Sequence, residues 1–498
     1  MISLLLCAVL VVAYLWSKYI SQVRQYPPGP RPLPILGNLL QIDFASPQET
    51  IAKWGKQYGP VFTVWLPKPN VVITDYSVMK EALVKEGDIY AGRYVGFVYG
   101  NYGREHPDGS GIILSQNKRW SLQRRFALHV FRDFGMGRNL METKVMAQCS
   151  VLVDFLRGAV GQKGSAVVDL EYSLTLCVAN IIDDIIMGRT FEYDDENFAK
   201  FKHMLDVIMQ EVKSPRFLVL DTYPRLRYLF PGQLGYKKFR ERGELLHRFF
   251  LSEVSEHKAK LNMDAEPEDY IDAYLHEIER RKRAGEDTSD FNEEILAANI
   301  SDLWAAGMET TVTTLRWGIL YIMLHPEVAR RAYEEVDAIV GKDRLPQLSD
   351  RSAMPYTQAT LNEIQRLGNI VPFNIQHATS ADTTLHGHKI AAGTIVLPQL
   401  SALLMDPDVF PQPHSFLPER FLAADGSVKR VDELIPFGMG KRQCLGESLA
   451  RTELFLIFVT LMQKFSFSII PDLPTPTTKA IFGVTAPPHP YATLVSSR

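Results

Sequence analysis

One cysteine late in the chain, Cys444, lies in the run Phe437-Gly438-Met439-Gly440-Lys441-Arg442-Gln443-Cys444-Leu445-Gly446. Small residues flank it, a cation stands two positions before it, and a long apolar segment follows. A thiolate held among backbone N–H groups at the start of a helix is kept anionic, the form that ligates iron. Gly440 and Gly446 allow close backbone approach to a flat cofactor, and Arg442 suits a carboxylate on such a cofactor's rim. A lone cysteine is more often a small buried hydrophobe. The surroundings shift that balance toward a ligand. Leu449, Leu454, Phe455, Ile457 and Phe458 keep an apolar period and predict a buried helix behind the loop.

A second run able to do chemistry is Ala305-Ala306-Gly307-Met308-Glu309-Thr310-Thr311, in the middle of the longest helical pattern. A glycine inside a helix costs about 1 kcal/mol against alanine, so Gly307 needs a reason. Close helix–helix packing is one. A small-residue face open to a planar cofactor and dioxygen is the other, with local helix widening freeing backbone groups. Glu309 and Thr310 supply an acid and a hydroxyl able to pass protons there. The pattern predicts a start near Asp290, with Glu293 completing a capping box, and a stop at Pro326.

Glu363 and Arg366 share one helix face, and taken alone such a pair is a weak surface contact. Flanking Leu361, Ile364 and Leu367 argue instead for burial, which requires further partners. Arg420, in Pro418-Glu419-Arg420-Phe421, is the candidate third member, with a structural role. Trp120 and Arg124 place an indole and a guanidinium one helical turn apart.

Together these runs resemble the cytochrome P450 family, the haem-thiolate monooxygenases. The cysteine loop matches the family's Phe-x-x-Gly-x-Arg-x-Cys-x-Gly signature, with Gly438 at a variable position where serine is frequent. The central helix matches (Ala/Gly)-Gly-x-(Asp/Glu)-Thr, and Glu-x-x-Arg, Pro-Glu-Arg-Phe and the loop follow in family order. The resemblance spans essentially the whole chain and is nearest the microsomal drug- and fatty-acid-oxidising branch. It implies a mainly α fold with small β-sheets, and haem b (iron protoporphyrin IX) with Cys444 as axial ligand. It further implies Phe437, Gly440, Gly446, Ala306 and Gly307 around the cofactor, and Trp120, Arg124, His377 and Arg442 on its propionates. Thr310 and Glu309 are the implied catalytic pair. Phe97, Tyr99, Ala305, Ile370, Val371, Phe373 and Phe482 are the implied substrate contacts, for a sizeable apolar fatty acid, steroid or xenobiotic.

The implied reaction inserts one atom of dioxygen into such a substrate, by hydroxylation or epoxidation. Two electrons must come from outside, since the chain shows no Rossmann glycine fingerprint or flavin domain. A separate NADPH-dependent flavoprotein reductase, with cytochrome b5 as a further partner, is therefore implied. Lys118, Arg119, Arg125, Arg132 and Lys441 could form its basic docking face, or an ordinary solvated run. Two alternatives stay open: a reductase-independent haem-thiolate isomerase or dehydratase of lipid peroxides, and a non-enzymatic haem-binding membrane protein. Glu309 and Thr310 weigh against both.

Several elements must position these residues. The 498 residues show no interdomain linker beyond about residue 45, which favours one large domain. A hydrophobic fraction of 46% and a charged fraction of 22% are those of a folded globular protein, and a net charge of −3 argues against nucleic acid. Cys7, Cys149, Cys177 and Cys444 form no CxxC pair, so no zinc site or disulfide framework is read, and a reducing compartment fits. Residues 1–20 read as an uncleaved membrane anchor, since no basic region precedes the apolar run and no small-x-small site follows it. Lys18, Arg24 and Arg31 then place the body on the cytosolic side, and the microsomal resemblance implies the endoplasmic reticulum membrane. Residues 21–38, basic and proline-rich, read as a stiff extended hinge, and 39–498 as the haem domain. Residues 61–75 predict a hairpin with Pro67-Lys68-Pro69-Asn70 as its turn, and about 377–396 a second β-prone region.

Overall fold

A computed structural model of the chain describes residues 10, 14, 16–96, 108–135, 139–193, 195–212, 214–230 and 232–498. The helices are α1 (Pro47–Tyr58), α2 (Tyr76–Lys80), α3 (Asn117–Asp133), α4 (Asn139–Val160) and α5 (Glu171–Ile186). Then come α6 (Glu196–Val212), α7 (Pro215–Thr222), α8 (Leu226–Leu229), α9 (Tyr236–Lys260) and α10 (Tyr270–Ala284). The remainder are α11 (Glu293–Leu324), α12 (Pro326–Ile339), α13 (Pro355–Gly368), α14 (Leu400–Leu404) and α15 (Glu447–Lys464).

Helix α11 is the axis of the core. It packs on α5, α9, α13 and α15, and buried side chains surround it, from Ile295 to Met323. Helix α5 is buried on nearly every face, and α15 is buried from Leu449 onward. Helices apolar all round belong inside a large protein. The cap of α11 differs from expectation: Asn292, not Asp290, accepts from the Ile295 N–H at 3.0 Å. Asp290 is drawn off by Arg119, 3.0 Å away. The stop comes where expected, at Leu324, with Pro326 opening α12.

The sheets lie to one side. Strands β1 (Val61–Leu66), β2 (Lys68–Ile73), β3 (Gly92–Arg93), β5 (His377–Ala378) and β8 (Ile395–Pro398) form one sheet in the order β1-β2-β8-β5-β3. Strands β4 (Ser165–Val168), β9 (Phe465–Ser468) and β10 (Thr493–Ser497) form a second, and β6 (Thr383–Leu385) with β7 (His388–Ile390) a two-stranded ribbon. The hairpin turns more tightly than predicted: Leu66 faces Lys68, so Pro67 alone makes the turn. Pro69 sits inside β2 because the ladder to β8 starts only at Asn70, leaving no donor required of it there.

The hinge is extended only in part. Thr63 donates to the Pro28 carbonyl at 2.9 Å, which lays the strap along β1. Leu33 and Gly37 then close a tight turn by exchanging two 2.8 Å hydrogen bonds. Most of residues 1–20 lie outside the described residues, and among the described residues no helix is long and apolar enough to cross a membrane.

Candidate active site

The Cys444 loop is built by its own backbone and by the element beneath it. The Cys444 N–H donates to the Phe437 carbonyl at 3.0 Å. Gly440 has φ +75°, and a Cβ there would collide with the Leu83 carbonyl. Its smallness therefore serves close approach of the loop to the segment after α2. Gly446 is the reverse case: a Cβ there meets nothing within 4 Å. The Cys444 side chain carries accessible surface yet is closely ringed by protein, so its thiol opens on a concavity. Burial raises its pKa, while an N–H at Gly446 and the charge of Arg124 pull it down, and the net direction is up. The loop alone thus does not hold the anion, contrary to expectation. A bound cation would.

Around this loop the fold gathers guanidinium groups without carboxylates. Arg124 donates to the Gln443 carbonyl at 2.6 Å. Arg442 donates to the carbonyls of Ala91 at 2.8 Å and Ser115 at 2.6 Å. Its guanidinium lies 3.8 Å from the Trp120 ring centroid. Arg93, a residue the sequence patterns did not single out, is fully enclosed and donates to Ile113, Ile375 and Gln376 carbonyls at 2.9–3.1 Å. None of the three pairs with a carboxylate among the described residues. Burial, then the mutual repulsion of these cations, pulls Arg442 down to about 8; for Arg93, burial and then Arg124 pull it down to about 9.

His377 completes the group. Its Nδ1 lies 2.7 Å from the Tyr90 carbonyl and so carries the proton, while Nε2 is buried without a partner. Burial, then Arg93 and Arg442, keep it neutral. Three desolvated cations and an orphaned imidazole nitrogen beside a cysteine are an anion site in search of a multiply charged, partly apolar ligand. Two carboxylates on the rim of a flat macrocycle fit that set, and Gly446 leaves the backbone bare on that side.

Glu363, Arg366 and Arg420 come together as their order in the chain predicts. Arg366 holds Glu363 through two hydrogen bonds of 2.7 and 2.8 Å, both side chains fully buried. Arg420 adds 3.1 Å to the same carboxylate. The remaining donors go to the carbonyls of Leu404, Pro411, Pro413 and Ser415, so no charge is stranded.

On α11 the expected local widening is not seen. The helix remains α-helical through Gly307 and Thr310, and the Thr310 and Thr314 hydroxyls bond back to the Ala306 and Thr310 carbonyls at 2.8 Å. At Gly307 a Cβ would lie 2.7 Å from Ile182 Cδ1, so its smallness serves close packing on α5. Ala306 and Ala305 stay accessible or partly so. Glu309 accepts from Thr485 at 3.0 Å, and burial raises its pKa.

Of the expected substrate contacts, Phe97 and Tyr99 lie outside the described residues. Ile370, Val371 and Phe373 follow α13, and Ile370 and Phe373 meet the segment 480–488. Ala486 donates to Ile370 at 2.8 Å, and the Phe373 and Phe482 rings stand 6.2 Å apart. In the basic run, Arg119 pairs with Asp290, Lys441 with Asp88, and Arg132 lies 3.8 Å from Asp133. Lys118 and Arg125 are exposed, with no ion pair among the described residues.

The model of the cytochrome P450 family matches residues 27–495. The chain belongs to the cytochrome P450 family. It is 38% identical to cytochrome P450 2C44 of Mus musculus over 96% of this chain and 94% of the relative. Identity to cytochrome P450 2C8 of Homo sapiens is 36% over 98% of both. Identity to cytochrome P450 2C5 of Oryctolagus cuniculus is 36% over 98% and 96%. As a P450 it has the mainly helical P450 fold in one large domain. It is a haem-thiolate monooxygenase that uses haem b, dioxygen and electrons from an NADPH-dependent reductase on apolar small molecules.

Proposed function

We propose that Cys444 is the axial ligand of the haem iron, and that Arg93, Trp120, Arg124, His377 and Arg442 hold the two propionates. The carrying observation is the cluster of three guanidinium groups with no protein carboxylate, joined to the cysteine loop through Arg124 and Gln443. Bound haem supplies the activation of dioxygen. Thr310 Oγ1 and Glu309 Oε1 hold and pass protons, Phe437 and Gly440 shape the loop, and Gly446 and Ala306 leave room. Ala305, Ile370, Val371, Phe373 and Phe482 exclude water and orient a fatty acid, steroid or xenobiotic, with Phe97 and Tyr99 as further contacts. Glu363, Arg366 and Arg420 brace the loop.

The test is the carbon monoxide difference spectrum of the reduced protein beside Cys444→Ser. A thiolate-type Soret band that is lost in the variant is expected; its absence in the wild type overturns the assignment. Product yield per NADPH with lauric acid, progesterone and 7-ethoxycoumarin then ranks the three substrate classes.

Residues 1–20 are read as a membrane anchor, 21–38 as its hinge and 39–498 as the haem domain, on the cytosolic face of the endoplasmic reticulum. Supporting this, Ile35, Leu40, Tyr228 and Leu229 are each at least 69% exposed, and Tyr223 joins their two segments by a 3.1 Å hydrogen bond to Ile35. Exposed apolar surface of this kind suits lipid. Lys118 and Arg125 are read as the steering charges for the reductase and cytochrome b5. Reductase-supported turnover that is insensitive to ionic strength rules that out.

A further inference from the structure

We propose that Thr485 is a positioning residue for Glu309, tying the proton-handling acid to the loop that carries Phe482. This rests on the reading of Glu309 given above. The Thr485 hydroxyl donates to Glu309 Oε1 at 3.0 Å, and Thr313, one turn along α11, lies 3.5 Å from the same oxygen. Thr310, the next residue, bonds instead to the Ala306 carbonyl. The acid and the neighbouring alcohol therefore hold different partners, and the shorter hydrogen bond to the acid comes from outside its own helix.

That outside element is firmly held. Ile481 donates to Pro487 at 2.8 Å, Ala486 to Ile370 at 2.8 Å, and the Trp317 indole to Ala486 at 2.9 Å. Phe482 meets Phe373 three residues before Thr485 on this one braced segment. One segment thus carries both the Phe482 ring and the hydroxyl that aims Glu309, so a ligand that shifts the ring would shift the hydroxyl with it. The charged groups facing the acid are Lys202 and Asp206 of α6, which pair with each other, and Glu171 of α5, which pairs with Arg316 at 2.9 Å. Against burial, Lys202 and the Thr485 hydroxyl favour the ionised acid, whereas Asp206 and Glu171 oppose it. Loss of the hydroxyl raises the acid's pKa further.

The test uses the full-length holoenzyme as wild type, Thr485→Val, Thr485→Ser and Glu309→Gln. Infrared difference spectra, with and without 4-phenylimidazole, read the carboxyl band that Glu309→Gln removes. That band is expected to move on adding the azole in wild type and Thr485→Ser, and to be shifted and azole-insensitive in Thr485→Val. With the fastest of the three turnover probes, Thr485→Val is expected to release about fivefold more hydrogen peroxide per product, the size of one lost hydrogen bond. Its pH profile moves upward and KM does not change, while serine restores both. If Thr485→Val shifts neither band nor profile while Glu309→Gln uncouples the enzyme, the role of Thr485 is overturned. If Glu309→Gln leaves coupling intact, the reading of Glu309 as the proton-handling acid fails, while a Thr485-dependent band still stands for the positioning contact.

Discussion

The guanidinium of Arg442 stacks on the Trp120 ring at 3.8 Å, although the two residues are separated by most of the chain. The indole face is a favourable electrostatic neighbour for this buried cation, which Arg93 and Arg124 both repel. The pocket is thus built to need anions, and its cost without them is set by how closely the three cations are packed.

Arg93→Gln should weaken the hold on haem. A charge-assisted hydrogen bond is worth about 2 kcal/mol, so haem transfer to apomyoglobin should quicken by about thirtyfold. An unchanged transfer rate would remove Arg93 from the propionate set.

Arg366→Ala strips Glu363 of two short hydrogen bonds in a fully buried position, and should cost about 3–5 kcal/mol in denaturant unfolding. Arg420→Ala leaves that pair in place and should cost about 2 kcal/mol. Equal losses would show that the brace is not centred on the Glu363–Arg366 pair.

Two glycines of the same loop should respond in opposite ways. Gly440→Ala forces a Cβ into the Leu83 carbonyl at φ +75°, so the haem-free protein should lose about 1–3 kcal/mol of stability or more. Gly446→Ala meets open space, so haem-free stability should be unchanged while haem content falls. Thermal unfolding before and after haem loading separates the two.

Glu453 gives the stability a pH slope. It is buried on α15, accepts one hydrogen bond from Thr311 at 3.0 Å, and burial raises it to about 8 from an ordinary 4.5. An acid raised in the folded state stays protonated there while the unfolded chain releases its proton. Its contribution is therefore fully present below about 4.5 and is lost as pH rises through about 8. The slope between these limits should approach about 1.4 kcal/mol per pH unit, and Glu453→Gln should flatten it in urea titrations. A variant with the wild-type slope would exclude Glu453 as its source.

Much of this molecule is legible without coordinates where the chemistry is local. The decapeptide around Cys444, the Glu-x-x-Arg spacing and the one-turn offset of Trp120 and Arg124 are short-range patterns, each set by helical or turn geometry. So is the end of α11 at Pro326. What misled was also local: Asp290 looks like a cap until Arg119 takes its carboxylate, and only packing shows that Gly307 and Gly440 each let a neighbour, Ile182 or Leu83, come close.

Arg93 carried no signal at all. An arginine in a two-residue strand is unremarkable until β3 pairs with β5 and sets it beside His377, far along the chain. Thr485 is the same case, a loop residue whose meaning comes from the carboxylate it meets. Residue order was enough to reveal the family and its reaction, because the cysteine loop and the Ala-Gly-x-Glu-Thr run are each a short continuous stretch of chain. Which cations share the anion site, and which hydroxyl aims the acid, depended on long-range packing, since those groups become neighbours only once burial has forced distant segments together.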